Sequence, residues 1–491
     1  MAQIIDVLSG NPGVGKTQKF IEQIKHGGRY VYAAPTRKLA TEVMERLREA
    51  GHSFLPIFTS QTQDVGSVIH RANVALGNKH NTVLIITHKC LASIKPELLT
   101  GWHLYVDECL KTEDIESVRV LASEFEHVIA PYVGDCDDNG GLLLNQSMME
   151  EAWEIHAQGI EDAKNRRTRN KTLLMVLDGM LSPTKTVTAT PSKNDRGRDI
   201  VLVRVEGFTD YTRPFSYAET VTLMGANIER SLVAKHLQRK AFTLRVDKRK
   251  SERRGLPIIL PLVRDNEGAY ISKRMLLTMP DGTVSKDWSE DCFGQYALNR
   301  AMEFVGDASA IFASHEWCKP NLPSNVQRTP FDTRGLNAWR DRKVSIHILH
   351  GNPSPDEYGP AKRIIEKMGI PLEEGRDAMR WEREGDQLIQ FSHRTMVRDE
   401  QSSDTTYHIV TSYTQARRLL RDFDGDCIID TRLMVEPPEL APTEKEVVRD
   451  TERDRLAEQV RTLINQGMSQ RKIAQVLNTN QSKVKRLAKQ A

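Results

Sequence analysis

The sequence predicts an α/β protein with two parallel-sheet domains, a mainly helical insertion in the first, and a small all-α domain at the C-terminus. Three observations predict this class. Short, continuously apolar runs alternate with segments of helical spacing, as expected of parallel strands covered on both faces. The pattern occurs twice, over residues 1–245 and 256–433, and is interrupted in the first block at about 113–216. After a Pro- and Glu-rich linker at 434–450, residues 451–491 lose it and read as short helices. At 491 residues the chain exceeds one ordinary core and suits about three domains.

In the first block, Ile4 to Leu8 is a strand candidate ending on Ser9-Gly10, and Thr17 to Ile24 has helical spacing. Tyr30 to Ala34 is the next strand, followed by Pro35 and a helix from Lys38 to Ala50. Val83 to Ile86 ends on Thr87-His88, and His103 to Val106 ends on Asp107-Glu108. Polar groups at the carboxyl ends of such strands lie along the ligand-binding edge of a parallel sheet. Thr220 to Met224 restores the α/β pattern after the insertion. Lys235 to Arg254, with nine basic and two acidic residues, is expected to cross between domains.

The net charge of +3 comes from 69 basic and 66 acidic residues, so a nucleic-acid surface requires local clustering of charge. Six cysteines stand singly, without disulfide-framework or zinc spacing, which fits free thiols in a reducing cytoplasm. No apolar run approaches the roughly 18 residues needed to span a bilayer, and no secretory leader is evident. A cytoplasmic location without membrane attachment is expected, and a monomer is favoured.

Gly10-Asn11-Pro12-Gly13-Val14-Gly15-Lys16-Thr17 fits G-x-x-x-x-G-K-[ST], after a strand and opening a helix. Its glycines let backbone N–H groups approach phosphates at a positive helix N-terminus. Lys16 adds a point charge for the β/γ oxygens, and the Thr17 hydroxyl is a Mg²⁺ ligand. Asp107 and Glu108 complement the loop: one carboxylate at a strand end holds Mg²⁺, and the other polarises the attacking water. ATP and Mg²⁺ are the expected ligands.

In order along the chain, these motifs resemble those of superfamily 2 helicases and translocases. The resemblance covers roughly residues 1–128 and 215–433 and implies two RecA-like domains with ATP held between them. Pro35, Thr36 and Arg37 resemble motif Ia, and Thr87-His88 the next such element; both imply contacts to a nucleic-acid strand. Asp107-Glu108-Cys109-Leu110 stands at the DExx box. Gly225, Ala226 and Asn227 resemble the Ser-Ala-Thr motif that couples hydrolysis to strand movement, with an amide replacing a hydroxyl. Arg334, Gly335 and Asn337 resemble motif V, another strand-contacting element. Gln390 through Arg398 looks like motif VI, whose arginines, Arg394 or Arg398 here, reach the γ-phosphate; Gln390 belongs to the nucleotide site. The alternative for Arg394 and Arg398 is a solvated i,i+4 helix stripe. No adenine-reading Gln motif precedes residue 10, unlike DEAD-box RNA helicases, and the divergent motifs look most like those of phages and other mobile elements.

The tail resembles a helix-turn-helix. Gly467 supplies a turn, Ser469 caps a helix with Ile473, Ala474 and Leu477 inward, and Gln481 to Gln490 would be the recognition helix. From Ser469 onward there are six basic residues and no acidic ones. Lys483, Lys485 and Arg486 are the expected phosphate or base contacts to duplex DNA. The same pattern also suits a small oligomerisation or peptide-binding tail. The expected activity is an ATP-dependent DNA helicase or translocase, with single-stranded DNA in the cleft, duplex at the tail, and RNA the less favoured strand. The alternative is an ATP-switched replication initiator or regulator that separates no strands.

Overall fold

The computed structural model describes residues 3–58, 65–78, 82–137, 140–164, 170–194, 196–250, 254–265, 271–331, 333, 338–352, 355–399, 401–423, 426–440, 444–477, 479, 484–485 and 487–488. The chain divides into two compact units, Met1–Lys273 with Tyr296–Glu436, and Arg274–Gln295 with Pro437–Ala491.

The larger unit holds three sheets. The first contains β1 (Ile4–Gly10), β2 (Tyr30–Ala34), β3 (Phe54–Pro56), β4 (Val83–Thr87) and β5 (His103–Asp107). The second contains β6 (Glu113–Leu121), β7 (Val133–Cys136), β8 (Leu142–Leu144), β9 (Lys185–Lys193) and β10 (Asp199–Phe208). The chain then returns to the first sheet as β11 (Thr220–Gly225) and β12 (Thr243–Arg249). The third sheet comprises β13 (Pro257–Val263), β14 (Ala310–Ser314), β15 (Val326–Arg328), β16 (Val344–Ile348), β17 (Thr406–Ser412) and β18 (Ile428–Ile429).

The first sheet is wholly parallel, in the order β12-β1-β11-β5-β2-β4-β3. Its inner strands β2, β4, β5 and β11 are buried on both faces, which explains their continuous apolar text. Val7, Val31 and Leu104 pack into one cluster, whereas Leu8, Tyr32 and Tyr105 pack into the other with Phe20 and Val43 from the covering helices. Ser9 lies opposite Gly225 and Met224 opposite Asp107, so this register brings three chemically distinct strand ends to one edge. The third sheet is also parallel, in the order β15-β14-β16-β17-β13-β18. The two parallel-sheet domains expected from the sequence are present.

Three expectations need correction. The insertion at about 113–216 is not mainly helical: it contains a five-stranded antiparallel sheet, β6-β10-β9-β8-β7, beside helices Met149–Lys164 and Lys171–Leu181. Thr186-Val187-Thr188 and Ile200-Val201 are rich in β-branched side chains, whose restricted χ1 favours a pleated surface. The basic segment from Lys235 is no crossover. It forms helix Leu232–Arg239 and edge strand β12, so the first domain passes the expected boundary at 245. Charge is tolerated on this strand because it lies at the sheet edge, where Arg245 pairs with Asp6 and Asp247 with Lys19. The second domain likewise passes 433, since Val435 N donates to Leu262 O at 2.8 Å.

The insertion and the second domain share an interface. Glu206 of β10 is fully buried and accepts two hydrogen bonds from Arg363, at 2.7 and 2.8 Å. Phe208 and Leu232 pack with Ile364, Ile365 and Met379 from helices Pro355–Lys367 and Leu372–Arg380.

In the smaller unit, helix Glu444–Asn465 turns at Gly467 (φ 80°) into helix Gln470–Val476. Ser469 Oγ accepts from Lys472 N, and Val460, Ile473, Ala474, Val484 and Leu487 form its core. The expected linker to residue 450 is too long: residues 444–450 are already helical, consistent with their Glu, Lys and Arg content. Among the described residues no helix is long and apolar enough to cross a membrane.

Candidate active site

The loop after β1 turns through two glycines with positive φ. Gly13 has φ 103° and Gly15 φ 78°, and Gly15 is the N-cap of helix Lys16–Gln23. Gly10 is constrained by space: a Cβ there would meet Arg249 O at 2.8 Å and Val14 Cγ2 at 2.9 Å. Phe20 and Ile21 anchor the helix in the core, which fixes the direction of its N-terminus.

Lys16 is buried, and its Nζ donates to Gly10 O at 2.6 Å and Asn11 O at 3.0 Å. Burial lowers its pKa, while Glu108 and Asp107 oppose that shift. Asp107 ends β5 and accepts from the Tyr32 hydroxyl. Burial, with repulsion from Glu108, pushes its carboxyl up to about 7. Glu108 stands at φ 63°, a conformation L residues rarely adopt, and its N donates to Met224 O at 2.6 Å.

The second domain supplies the facing wall. Helix Asp386–Ser392 is buried at every position, and the chain then turns through Arg394 to a short 3₁₀ segment, Met396–Arg398. Arg394 is 4% exposed, so it is not a solvated helix stripe. Gln390 Nε2 donates to Glu108 Oε2 at 2.7 Å, and Arg394 Nη2 donates to Gln390 Oε1 at 3.2 Å. Arg398 lies over the loop, its Cγ 3.1 Å from where a Gly13 Cβ would be. Burial, with repulsion from Arg394 and Arg340, lowers its pKa to about 10. Pro12, Gly13, Gly15, Lys16, Thr17, Asp107, Glu108, Arg394 and Arg398 thus line one cleft, joined by Leu39, Glu42 and Arg46.

The charges suit a metal-bound polyphosphate. Arg394, Arg398 and Lys16 are crowded cations that phosphate oxygens would relieve. Asp107 and Glu108 are crowded carboxylates, beside Thr17, that a divalent ion would relieve. Among the described residues no group of three or more His, Cys, Asp and Glu is arranged to hold a metal alone. Mg²⁺ would therefore need the nucleotide's own oxygens, as is usual for this ion.

Other expected residues are placed as follows. Gly225 ends β11; Ala226 is buried; Asn227, at φ 49°, donates through Nδ2 to Asp422 Oδ1 of the second domain at 3.0 Å. Arg230 Nη1 reaches the same oxygen at 2.9 Å. Pro35 is half-buried, Thr36 caps helix Arg37–Glu49 by accepting from Leu39 N, and Arg37 is exposed. Thr87 caps His88–Leu91, and His88 is buried with Nε2 2.8 Å from Asp107 O, facing the cleft strand and not an open surface. Lys485 is exposed. Arg334, Gly335, Asn337, Lys483 and Arg486 lie outside the described residues.

Sequence reasoning missed Tyr32, although a strand tyrosine whose hydroxyl needs a buried partner is a readable signal. It also missed Glu382, in a π-helical turn at Trp381–Gly385, which accepts from Leu232 N at 2.7 Å beside Cys109. Nothing in the local text marks that turn.

No protein-family model matches the sequence, and no curated protein matches it. Among solved structures, the fold is similar to an XPD helicase, with a TM-score of 0.48, 10% identity, and coverage of 87% of this chain and 96% of that one. It is also similar to S. tokodaii Xpd4 (TM-score 0.43, 11% identity, 88% and 95% covered). A RecG bound to a three-way DNA junction is more distant, at TM-score 0.34 and 10% identity, with 86% of this chain and 42% of that one covered. All three scores fall below 0.5.

Proposed function

We propose that the protein is an ATP-dependent DNA helicase or translocase that couples hydrolysis, in a cleft between two RecA-like domains, to movement along a strand. The observation that carries this reading is the meeting of Arg394 and Arg398 from one domain with Lys16, Asp107 and Glu108 from the other. A single domain suffices to bind ATP. Arginines from a second domain make the transition state depend on closure, which turns chemistry into relative motion.

In this reading Lys16 and the loop amides bind the β- and γ-phosphates, and Thr17 and Asp107 would hold the metal. Bound Mg²⁺ would neutralise charge on the phosphate oxygens. Glu108, oriented by Gln390, takes a proton from the attacking water, while Arg394 or Arg398 steadies the departing charge. Asn227 and Arg230, both on Asp422, pass the state of the cleft to the second domain. The segment Pro35–Arg37, with Arg37 exposed, is the candidate strand contact in the first domain. The tail, with Ser469 as a helix cap and Lys485 exposed, is supported as a duplex-DNA reader by its fit to helix-turn-helix spacing.

Steady-state ATP hydrolysis with and without single-stranded DNA, followed by displacement of a tailed duplex, tests the reading. Stimulation that Lys16→Ala abolishes supports a motor; hydrolysis indifferent to any nucleic acid sinks it. Stimulation by RNA alone would reassign the strand. Removing residues 444–491 should weaken duplex binding and flatten its salt dependence; an unchanged slope would remove the tail from the DNA-reading role.

A further inference from the structure

Away from the ATP cleft, aromatic rings gather at the carboxyl edge of the third sheet. His315 follows β14, Phe331 follows β15 and His350 follows β16. The His315 ring stacks with Trp317 (centroids 5.8 Å apart, planes at 16°) and with Phe331 (5.1 Å, 24°). His350 approaches His315 at 4.8 Å, and Lys273 Nζ stands 5.3 Å from the Trp317 ring centre. All four rings are half-buried and Lys273 is exposed.

A core needs such rings fully covered, and an ordinary surface seldom collects four of them with a cation. Burial lowers the pKa of His315, and it brings that of His350 to about 4, so both imidazoles are uncharged at neutral pH and act as flat, weakly hydrated faces. The edge itself is the one at which parallel sheets present ligand contacts. Stacked rings beside a lysine suit a polymer of flat bases joined by phosphates. Every base offers a π-face, and the backbone offers the anion.

We propose that His315, Trp317 and Phe331 form a base-stacking platform for single-stranded DNA crossing the second domain, with Lys273 beside a phosphate. This rests on the motor reading above and adds what the second domain recognises: base faces, without regard to sequence.

The test compares a deoxyadenylate strand of roughly twelve nucleotides with an abasic strand of equal length and phosphate count, by fluorescence anisotropy on the full chain. The wild-type protein should bind the base-bearing strand about tenfold more tightly. Trp317→Leu, which keeps an apolar side chain without the ring, should remove most of that preference, and Trp317→Phe should retain much of it. Hydrolysis without DNA should be unchanged in both, because Trp317 does not line the ATP cleft. Equal wild-type binding of the two strands overturns the platform whatever the variants do, and so does a full preference in folded Trp317→Leu. If the abasic strand still binds and stimulates hydrolysis, the motor reading survives the loss of the platform. If neither strand binds, both fail.

Discussion

Arg398 of the second domain lies directly across Gly13 of the first, its Cγ 3.1 Å from the position a Gly13 Cβ would take. The two positions constrain each other. A side chain at Gly13 would be strained at φ 103° and would push the Arg398 side chain aside, while loss of the guanidinium removes the cation that lies over the loop. Arg398→Ala is predicted to lower single-turnover ATP hydrolysis by about 10³-fold with nucleotide binding largely kept. Arg398→Lys should recover little, because an ammonium does not reproduce the planar fork. Near-normal hydrolysis in Arg398→Ala would make Arg394 the finger instead.

Gln390 holds Glu108 from across the cleft at 2.7 Å. With Glu108 already at a disfavoured φ, that hydrogen bond sets where the carboxylate points. Gln390→Leu should reduce kcat by about 10²-fold with little change in KM, since positioning of a general base is lost and not binding. A change confined to KM would move Gln390 from orienting the base to holding nucleotide.

Asn227 and Arg230 meet on one oxygen of Asp422, linking the end of β11 to the second domain. Asn227→Ala and Asp422→Ala should each diminish stimulation of hydrolysis by DNA, and the double variant should lose less than the sum of the two. A cycle measured on stimulated kcat should give a coupling of about 0.5–3 kcal/mol. Strict additivity would mean the contact transmits nothing.

Glu382 is a half-buried residue whose carboxyl pKa rises to about 8, first through desolvation and then through Glu113 and Asp386, against the hydrogen bond from Leu232 N. The folded state therefore keeps a proton that the unfolded chain releases near pH 4.5. Its contribution to stability falls as pH rises between about 4.5 and 8. Glu382→Gln should match the wild type near pH 5 and exceed it above pH 8 by about 2–4 kcal/mol. Denaturant unfolding at the two pH values checks this; parallel losses in both proteins would place the ionisation elsewhere.

The glycine-rich loop after β1 was legible because its backbone path is local. Gly10 to Thr17 are contiguous, and the glycines announce a backbone path that other residues resist. Asp107-Glu108 was legible for the same reason, as an acidic pair at the end of an apolar strand. Ser469 could be read as a cap from a short polar side chain before a helical run. The insertion was misread because its helical segments, Met149–Lys164 and Lys171–Leu181, have the more conspicuous period. Strand β12 was misread because charges suggest a linker, although an edge strand accepts them as readily.

By itself the sequence determined the two α/β blocks, the glycine-rich turn and the acidic strand end, since each depends on residues adjacent in the chain or on a repeating period. Only the tertiary structure decided their relations. Residues 282 positions apart, Gln390 and Glu108, share a hydrogen bond; Arg398 covers Gly13; Tyr32 joins Asp107; and Glu382 reaches the backbone of Leu232. Such contacts follow from strand order and from which helix faces pack together. Nothing near either partner encodes them, because the burial that makes them strong arises only once distant segments have excluded water between them.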